Sequence, residues 1–208
     1  DVFGIDTVGL SNDRKVTFYS RLSHLLLPSH YLWYKKVERR DASKNSLRYL
    51  KYYLEISFTF LFGRIKIAKK IFRWFFITRV INDSVSKAFD IYKPDMLFSS
   101  DVFDDNDSAF SAEARRRGIK IVGMVRSWDN CYSKGVLKVI PDSLIVNNQN
   151  LVDEAVIVHD VPRASVHISG LPQYDEFVNG IRTSRDEFFK NIGADQNKKL
   201  ILLAPAGA

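Results

Sequence analysis

The residues best suited to chemistry lie together at Ser127-Trp128-Asp129-Asn130, with Ser133-Lys134-Gly135 close behind. An indole next to a carboxylate partly desolvates it, which would raise the pKa of Asp129 toward the working range of a general base. Trp128 offers a face for stacking on a sugar or base, and Asn130 offers hydrogen bonds to hydroxyls. Lys134-Gly135 would either contact a phosphate or close the loop. The same residues also read as a structural turn, because Asp and Asn favour turns and Trp fills gaps in a core.

A second constellation is Gly170-Leu171-Pro172, followed by Gln173 and Asp175. Glycine permits positive φ and close backbone approach. Pro172 fixes the exit direction, and Gln173 or Asp175 would cap the next helix. The bland reading is a turn into a following segment. The acidic run Asp101, Asp104, Asp105 and Asp107 has neither zinc nor EF-hand spacing, and helix capping is expected there. His24, His30, His159 and His167 form no ligand spacing, so no metal site is expected. His159 reads as a cation matched to the dipole of a helix end. Walker A, G-x-G-x-x-G and G-x-S-x-G sequences are absent.

These loops need strands to hold them. Ile119 to Val125 is an apolar, β-branched run that suits a parallel strand covered on both faces. Ligands bind outside the carboxyl ends of such strands, which is where the polar tip falls. Further short strands are predicted at 95–98, 143–146 and 165–168, with a last one from Leu200. Helices are predicted at 82–92, 108–117, 149–159 and 183–191. This alternation implies right-handed crossovers and an α/β fold with a Rossmann-like parallel sheet flanked by helices. Asn82 or Asp83 should cap its helix, and Gly118 and Gly193 should end theirs.

The first third is different. Arg21 to Leu27 reads as a helix ended by Pro28. Ser46 to Phe62 reads as a helix with Leu47, Leu50, Leu54, Ser57 and Leu61 three or four apart. In Arg64 to Val80, Lys66, Lys69, Lys70 and Arg73 gather on one side of a helical wheel. Ile67, Ala68, Ile71, Phe72, Trp74 and Phe75 gather on the other. That suits a helix lying on anionic lipid, or a surface helix with its lysines solvated and its apolar face on the core. Residues 46–80 thus form a basic amphipathic helical insert.

The 208 residues are 46% hydrophobic and carry a formal net charge of +7, enough for a sizeable core and inconsistent with global disorder. The basic excess lies between Arg14 and Arg79 and points to a polyanionic partner. Glycine-framed aromatic strands and paired Cys/His ligands are missing, so no nucleic acid is expected. Cys131 is the only cysteine, which fits a reducing, cytoplasmic compartment. No apolar run reaches the roughly 18 residues of a transmembrane helix. Asp1-Val2-Phe3-Gly4 and the closing Ala204-Pro205-Ala206-Gly207-Ala208 read as cut ends, so a fragment of a longer protein is expected. The polar stretch Asp195 to Lys199 is the candidate boundary between a first domain (1–194) and the start of a second (195–208).

Taken in order, several pieces resemble the N-terminal domain of GT-B-type glycosyltransferases of bacterial surface polysaccharide synthesis. That superfamily includes CDP-glycerol glycerophosphotransferases and UDP-N-acetylglucosamine 2-epimerases. The pieces are Lys93-Pro94-Asp95, Ala112 to Gly118, Ser127 to Asn130 with Ser133 to Gly135, Asp142 to Asn147, Asp153 to His159, and Gly170 to Phe177. Two departures are Asn147, where a Trp is expected, and Cys131, where a Leu is expected. The resemblance implies two Rossmann-like domains facing each other across a cleft, the second truncated here and responsible for most donor binding.

It implies Asp129 as base or acceptor-orienting residue, and Ser127, Trp128, Asn130, Lys134 and Gly135 as acceptor contacts. Asp101, Gly170, Pro172 and Gln173 would line the cleft. The substrates would be a nucleotide-sugar donor and a carbohydrate acceptor, with no bound cofactor or metal. Lys66, Lys69, Lys70 and Arg73 would hold the enzyme on the inner face of the cell membrane beside a lipid-linked acceptor. Glycerophosphate transfer from CDP-glycerol, or a non-catalytic sugar- or nucleotide-binding module, are the alternatives. The chain alone would lack transferase activity.

Overall fold

Residues 14–42, 46–180, 183–201 and 203 are described by the structure, a computed structural model of the chain. By contacts the chain divides after Gly170, ahead of the boundary expected at Asp195. The first unit carries four strands: β1 (Met96–Ser99), β2 (Lys120–Met124), β3 (Ser143–Val146) and β4 (Val166–Ile168). All pair in parallel in the order β1-β2-β3-β4, with Leu97 opposite Ile121, Gly123 opposite Leu144 and Ile145 opposite His167. The result is a Rossmann-like α/β arrangement with helices against the sheet. The strand order does not reverse among these four, so they contain no topological switch point.

Among the described residues of this unit the helices are, in chain order, α1 (Arg14–Leu25), α2 (His30–Asp41), α3 (Ser46–Phe62), α4 (Lys66–Arg79), α5 (Asp83–Tyr92), α6 (Asp105–Arg116), the single turn α7 (Asn130–Ser133) and α8 (Gln149–His159). Their ends follow local chemistry. The Asn82 side chain accepts from the amides of Ser84 and Val85, and Asp104 accepts from those of Asn106 and Asp107. Each satisfies donors that the first helical turn leaves without partners. Capping by Asp104 starts α6 at Asp105, three residues before the predicted Ser108. Helix α6 packs on β1 and β2, and α8 packs on β4. The core forms where their small and β-branched faces meet the strands, around Ala109, Ala112 and Ile121 on one side and Val125, Leu144 and Ala155 on the other.

Helix α4 reverses the expected orientation. Lys69 and Arg73 are buried, 3% and 7% exposed, beside Phe72 and Phe76. They were expected at a membrane and do not face outward. Lys69 Nζ donates to the carbonyl of Val158 at 2.6 Å and Arg73 Nη2 to that of His159 at 2.6 Å. Both carbonyls belong to the last turn of α8, where a helix has acceptors without partners and negative dipole charge. The carboxylate of Asp160 completes the pairing, 3.4 Å from Arg73 and 3.7 Å from Lys69. Lys66 and Lys70 remain exposed, as do Ile67, Ile71, Trp74 and Phe75. On α3 the leucine stripe Leu47, Leu50, Leu54 and Leu61 also faces outward.

The second unit begins at Leu171. It holds a 3-10 turn at Pro172–Tyr174, α9 (Asp175–Asn179) and α10 (Arg185–Asn191), the last capped by the Ser184 hydroxyl on the amide of Glu187. Phe189 is its buried residue among those described. The strand expected from Leu200 does not form at the described positions: Leu200, Ile201 and Leu203 lie outside any strand and are exposed. The turn at 205–207 lies outside the described residues.

Candidate functional site

Four parallel strands send their carboxyl ends to one edge of the sheet, so the loops after them gather there. After β1 come Ser100 and Asp101, after β2 the segment 125–135, after β3 Asn147 and Asn148, and after β4 Ser169 and Gly170. Val125 extends β2 by donating to the carbonyl of Ile145, and Ser169 extends β4 by donating to that of Val146.

The segment after β2 is a closed hydrogen-bonded turn. The Ser127 hydroxyl donates to Asp129 Oδ1 at 2.7 Å and the Ser133 hydroxyl to Oδ2 at 3.1 Å. The amides of Tyr132 and Ser133 close onto the Asp129 carbonyl to form α7. The Ser127 hydroxyl holds the Asp129 carboxyl below the usual carboxylate range; burial opposes it, and the Ser133 hydroxyl and the charge of Lys134 reinforce it. This corrects the expected rise. Trp128 is 74% exposed.

Asn130 is buried beneath the turn, while Lys134 is exposed. Gly135 is explained by packing. It has φ +86°, and a Cβ there would stand 2.4 Å from Ser23 Oγ and 3.0 Å from the amide nitrogen of His24. The end of α1 packs against Gly135, and Val136 donates to the Ser23 carbonyl at 3.1 Å.

Asp101 is the carboxylate with the opposite tendency. Burial pushes its pKa up, opposed by the Phe103 amide bond and by Lys134, and aided by Asp104 and Asp107. Its Oδ1 accepts from the Phe103 amide at 3.1 Å; among the described residues its Oδ2 carries no hydrogen bond. Asp107 holds the approach to this loop by accepting from the Ser99 hydroxyl and the Asp101 amide. Lys134 lies close enough to lower both Asp101 and Asp129, so the β1 loop and the β2 turn share one cation.

Several groups here escaped the sequence reading. Lys138 is 2% exposed and pairs with Asp105 at 2.9 Å. Burial and then the Lys138 charge push His24 down. Asn147 Nδ2 at the end of β3 and Glu154 Oε2 within α8 are buried without hydrogen-bond partners, and burial pushes Glu154 up. A buried Lys, Asn or Glu has no periodicity that marks it in a sequence. Asp142 ties β2 to the loop before β3: its Oδ2 accepts from the Ile121 amide at 2.9 Å, and its Oδ1 pairs with Arg115 at 3.3 Å.

Gly170 has φ +76° with nothing within 4 Å of a built Cβ, so backbone conformation and not close approach calls for glycine there. Pro172 begins the 3-10 turn of the second unit. The side chain of Gln173 lies outside the described residues. No group of three or more His, Cys, Asp or Glu suited to a metal ion occurs among the described residues. Comparison with models of known protein families, with curated proteins and with solved structures finds no match.

Proposed function

We propose that this chain is the acceptor-side part of a glycosyltransferase of the GT-B type, acting on a nucleotide-sugar donor and a surface-polysaccharide or lipid-linked acceptor. The observation that carries the reading is the pair of dissimilar carboxylates beside Lys134. Asp101 is raised by burial and has an open oxygen; Asp129 is lowered and fully hydrogen-bonded. Groups whose surroundings push their pKa values apart suit different roles.

Asp101 is the better base. In the proposed step it takes the proton of the acceptor hydroxyl as that oxygen bonds to the anomeric carbon of the donor sugar and the nucleotide diphosphate leaves. Asp129 stays ionised and fixes the turn that presents Trp128, whose exposed face stacks on the acceptor sugar. The unpaired Asn147 amide at the next strand end supplies a further polar group on that edge. The ordered resemblance from Lys93 to Phe177 supports the transferase reading, although it implies Asp129 as the base and Asp101 only as a cleft-lining residue.

Asp129 also favours a second reading. A carboxylate already satisfied by two serine hydroxyls is a scaffold, as in a sugar-binding module without chemistry.

Two measurements test the proposal. Titration with polysaccharide fragments quenches Trp emission, and Trp128→Ala abolishes the response; absence of any carbohydrate binding overturns both readings. In a transfer assay of the protein that includes the donor-binding domain, with nucleotide-sugar donors, Asp101→Asn lowers kcat by roughly 10²-fold or more and leaves acceptor affinity unchanged. Unchanged kcat in that variant removes the base role, and failure of transfer with every donor leaves the binding module.

A further inference from the structure

Helix α4 buries Lys69 and Arg73 together with Phe72 and Phe76, and leaves a second apolar stripe facing outward. Ile67, Ile71, Trp74 and Phe75 are 65%, 51%, 58% and 40% exposed. Their spacing of four, three and one sets them in one stripe along the helix. Trp74 and Phe75 meet edge to face at 4.8 Å. Beside the stripe a groove of about 340 Å³ opens between α1, α3 and α4. Ile71 and Phe75 belong to both, and Leu22, Phe58 and Phe62 line the rest of the groove. A second hollow adjoins it at Phe18 and Phe75, with Arg79 at its rim. Stripe and groove therefore form one continuous apolar surface. Isolated exposed apolar residues are ordinary, whereas a connected surface of this kind marks a contact.

The charges around it identify the occupant. Arg64, Lys66, Lys70 and Arg79 are exposed on and beside α4. No acidic residue occurs between Glu55 and Asp83, and Glu55 lies within 4 Å of Lys36 and Lys51. A second copy docked on this face through a two-fold axis would set the same four cations against themselves. An anionic bilayer meets both needs: its acyl region takes the aromatic stripe, and its headgroups take the cations. Trp is suited to that boundary, with an apolar ring and an N–H that stays wet, and Phe to its apolar side.

We infer that the outward face of α4, with the adjoining α1–α3–α4 groove, is a docking surface for an anionic lipid bilayer. Ile67, Ile71, Trp74 and Phe75 enter the lipid, and Lys66 and Lys70 bind headgroups. Lys69 and Arg73 take no part. The inference does not depend on the sugar-transfer reading. No helix among the described residues is long and apolar enough to cross a membrane, so this contact lies on one leaflet.

The test is sedimentation of the full chain with vesicles of phosphatidylcholine alone or mixed with phosphatidylglycerol. A Trp33→Phe, Trp128→Phe background isolates Trp74 emission. The mixed vesicles bind, Trp74 shifts to the blue, and brominated acyl chains quench it. Ile71→Ser with Trp74→Ser weakens binding roughly tenfold or more, as does Lys66→Glu with Lys70→Glu. All four positions are exposed, so circular dichroism should be unchanged. Equal binding by the Ile71→Ser, Trp74→Ser variant, or binding without a Trp74 shift, overturns the proposal. So does a dimer in light scattering that Ile71→Ser dissociates while vesicles stay unbound.

Discussion

Arg73 of α4 donates to the carbonyl oxygen of His159 at 2.6 Å, closing the last turn of a helix far along the chain. Its Nε also reaches the Leu137 carbonyl at 3.0 Å, so one guanidinium ties α4, α8 and the segment after Gly135 together. Burial lowers the pKa of Arg73, and Asp160 opposes that. Truncating one partner of a buried ionic group strands the others. Arg73→Met is expected to cost roughly 3–5 kcal/mol in urea unfolding, against less than about 0.5 kcal/mol for exposed Lys66→Met. Equal effects would mean that the cluster contributes no more than a surface pair.

His159 sits beside that cluster and holds a proton far more weakly than a surface histidine. Its Nδ1 accepts from the Leu137 amide at 3.1 Å, which leaves Nε2 protonated and donating to the Cys131 carbonyl at 2.9 Å. Burial pushes its pKa down from 6.5 to about 3, with the Cys131 bond opposing and the charges of Arg73 and Lys69 assisting. The expected role as a charged helix-end residue is therefore not met, and the ring is neutral. Between pH 6.5 and about 3 the unfolded chain binds a proton that the folded chain refuses. Stability is full above 6.5 and falls as pH drops through that window, by roughly 3–5 kcal/mol. His159→Gln starts less stable but loses its dependence on pH in that range. A slope equal to wild type in denaturant titrations at stepped pH would contradict the assignment.

The parallel sheet was legible because its signals are local. Apolar β-branched runs, Asn82 and Asp104 before helices and Gly118 after one each act within a few residues. The orientation of α4 was not, because a helical wheel shows two faces and cannot say which is buried. The wheel favours burying the aromatics. The unfilled carbonyls at the end of α8 outweigh that by recruiting Lys69 and Arg73, and those carbonyls are brought near only by the fold. Similarly, Asp129 was found from its neighbours, but its pKa was misjudged: adjacency to Trp128 in sequence does not put the indole over the carboxylate. Asp101 drew notice as part of an acidic run, while its burial depends on Phe103 and the neighbouring loops.

Cys131 offers a direct check on the packing of α7. It is 1% exposed, and burial, followed by the Glu154 charge, pushes its thiol up to about 12. The thiolate is the reactive form. Labelling by an aromatic disulfide reagent at neutral pH should proceed only at the rate at which the chain opens, and should become fast in denaturant. Fast labelling of the native chain, with circular dichroism intact, would show that the turn opens by itself.

Gly135 joins the candidate site to the helical first third of the chain. Its φ of +86° is unfavourable for an L side chain, and a Cβ would meet both the Ser23 hydroxyl and the α1 backbone. Gly135→Ala should therefore destabilise by roughly 2–4 kcal/mol, and α1 should separate from the segment it covers. Adding Ser23→Ala removes only the clash with the hydroxyl, so most of the loss should persist in the double variant. Hydrogen exchange at Val136, whose amide bonds the Ser23 carbonyl at 3.1 Å, reports the separation directly. Full recovery in the double variant would assign the cost to a side-chain clash alone. Persistence assigns it to the backbone contact by which α1 holds the site's last residue in place.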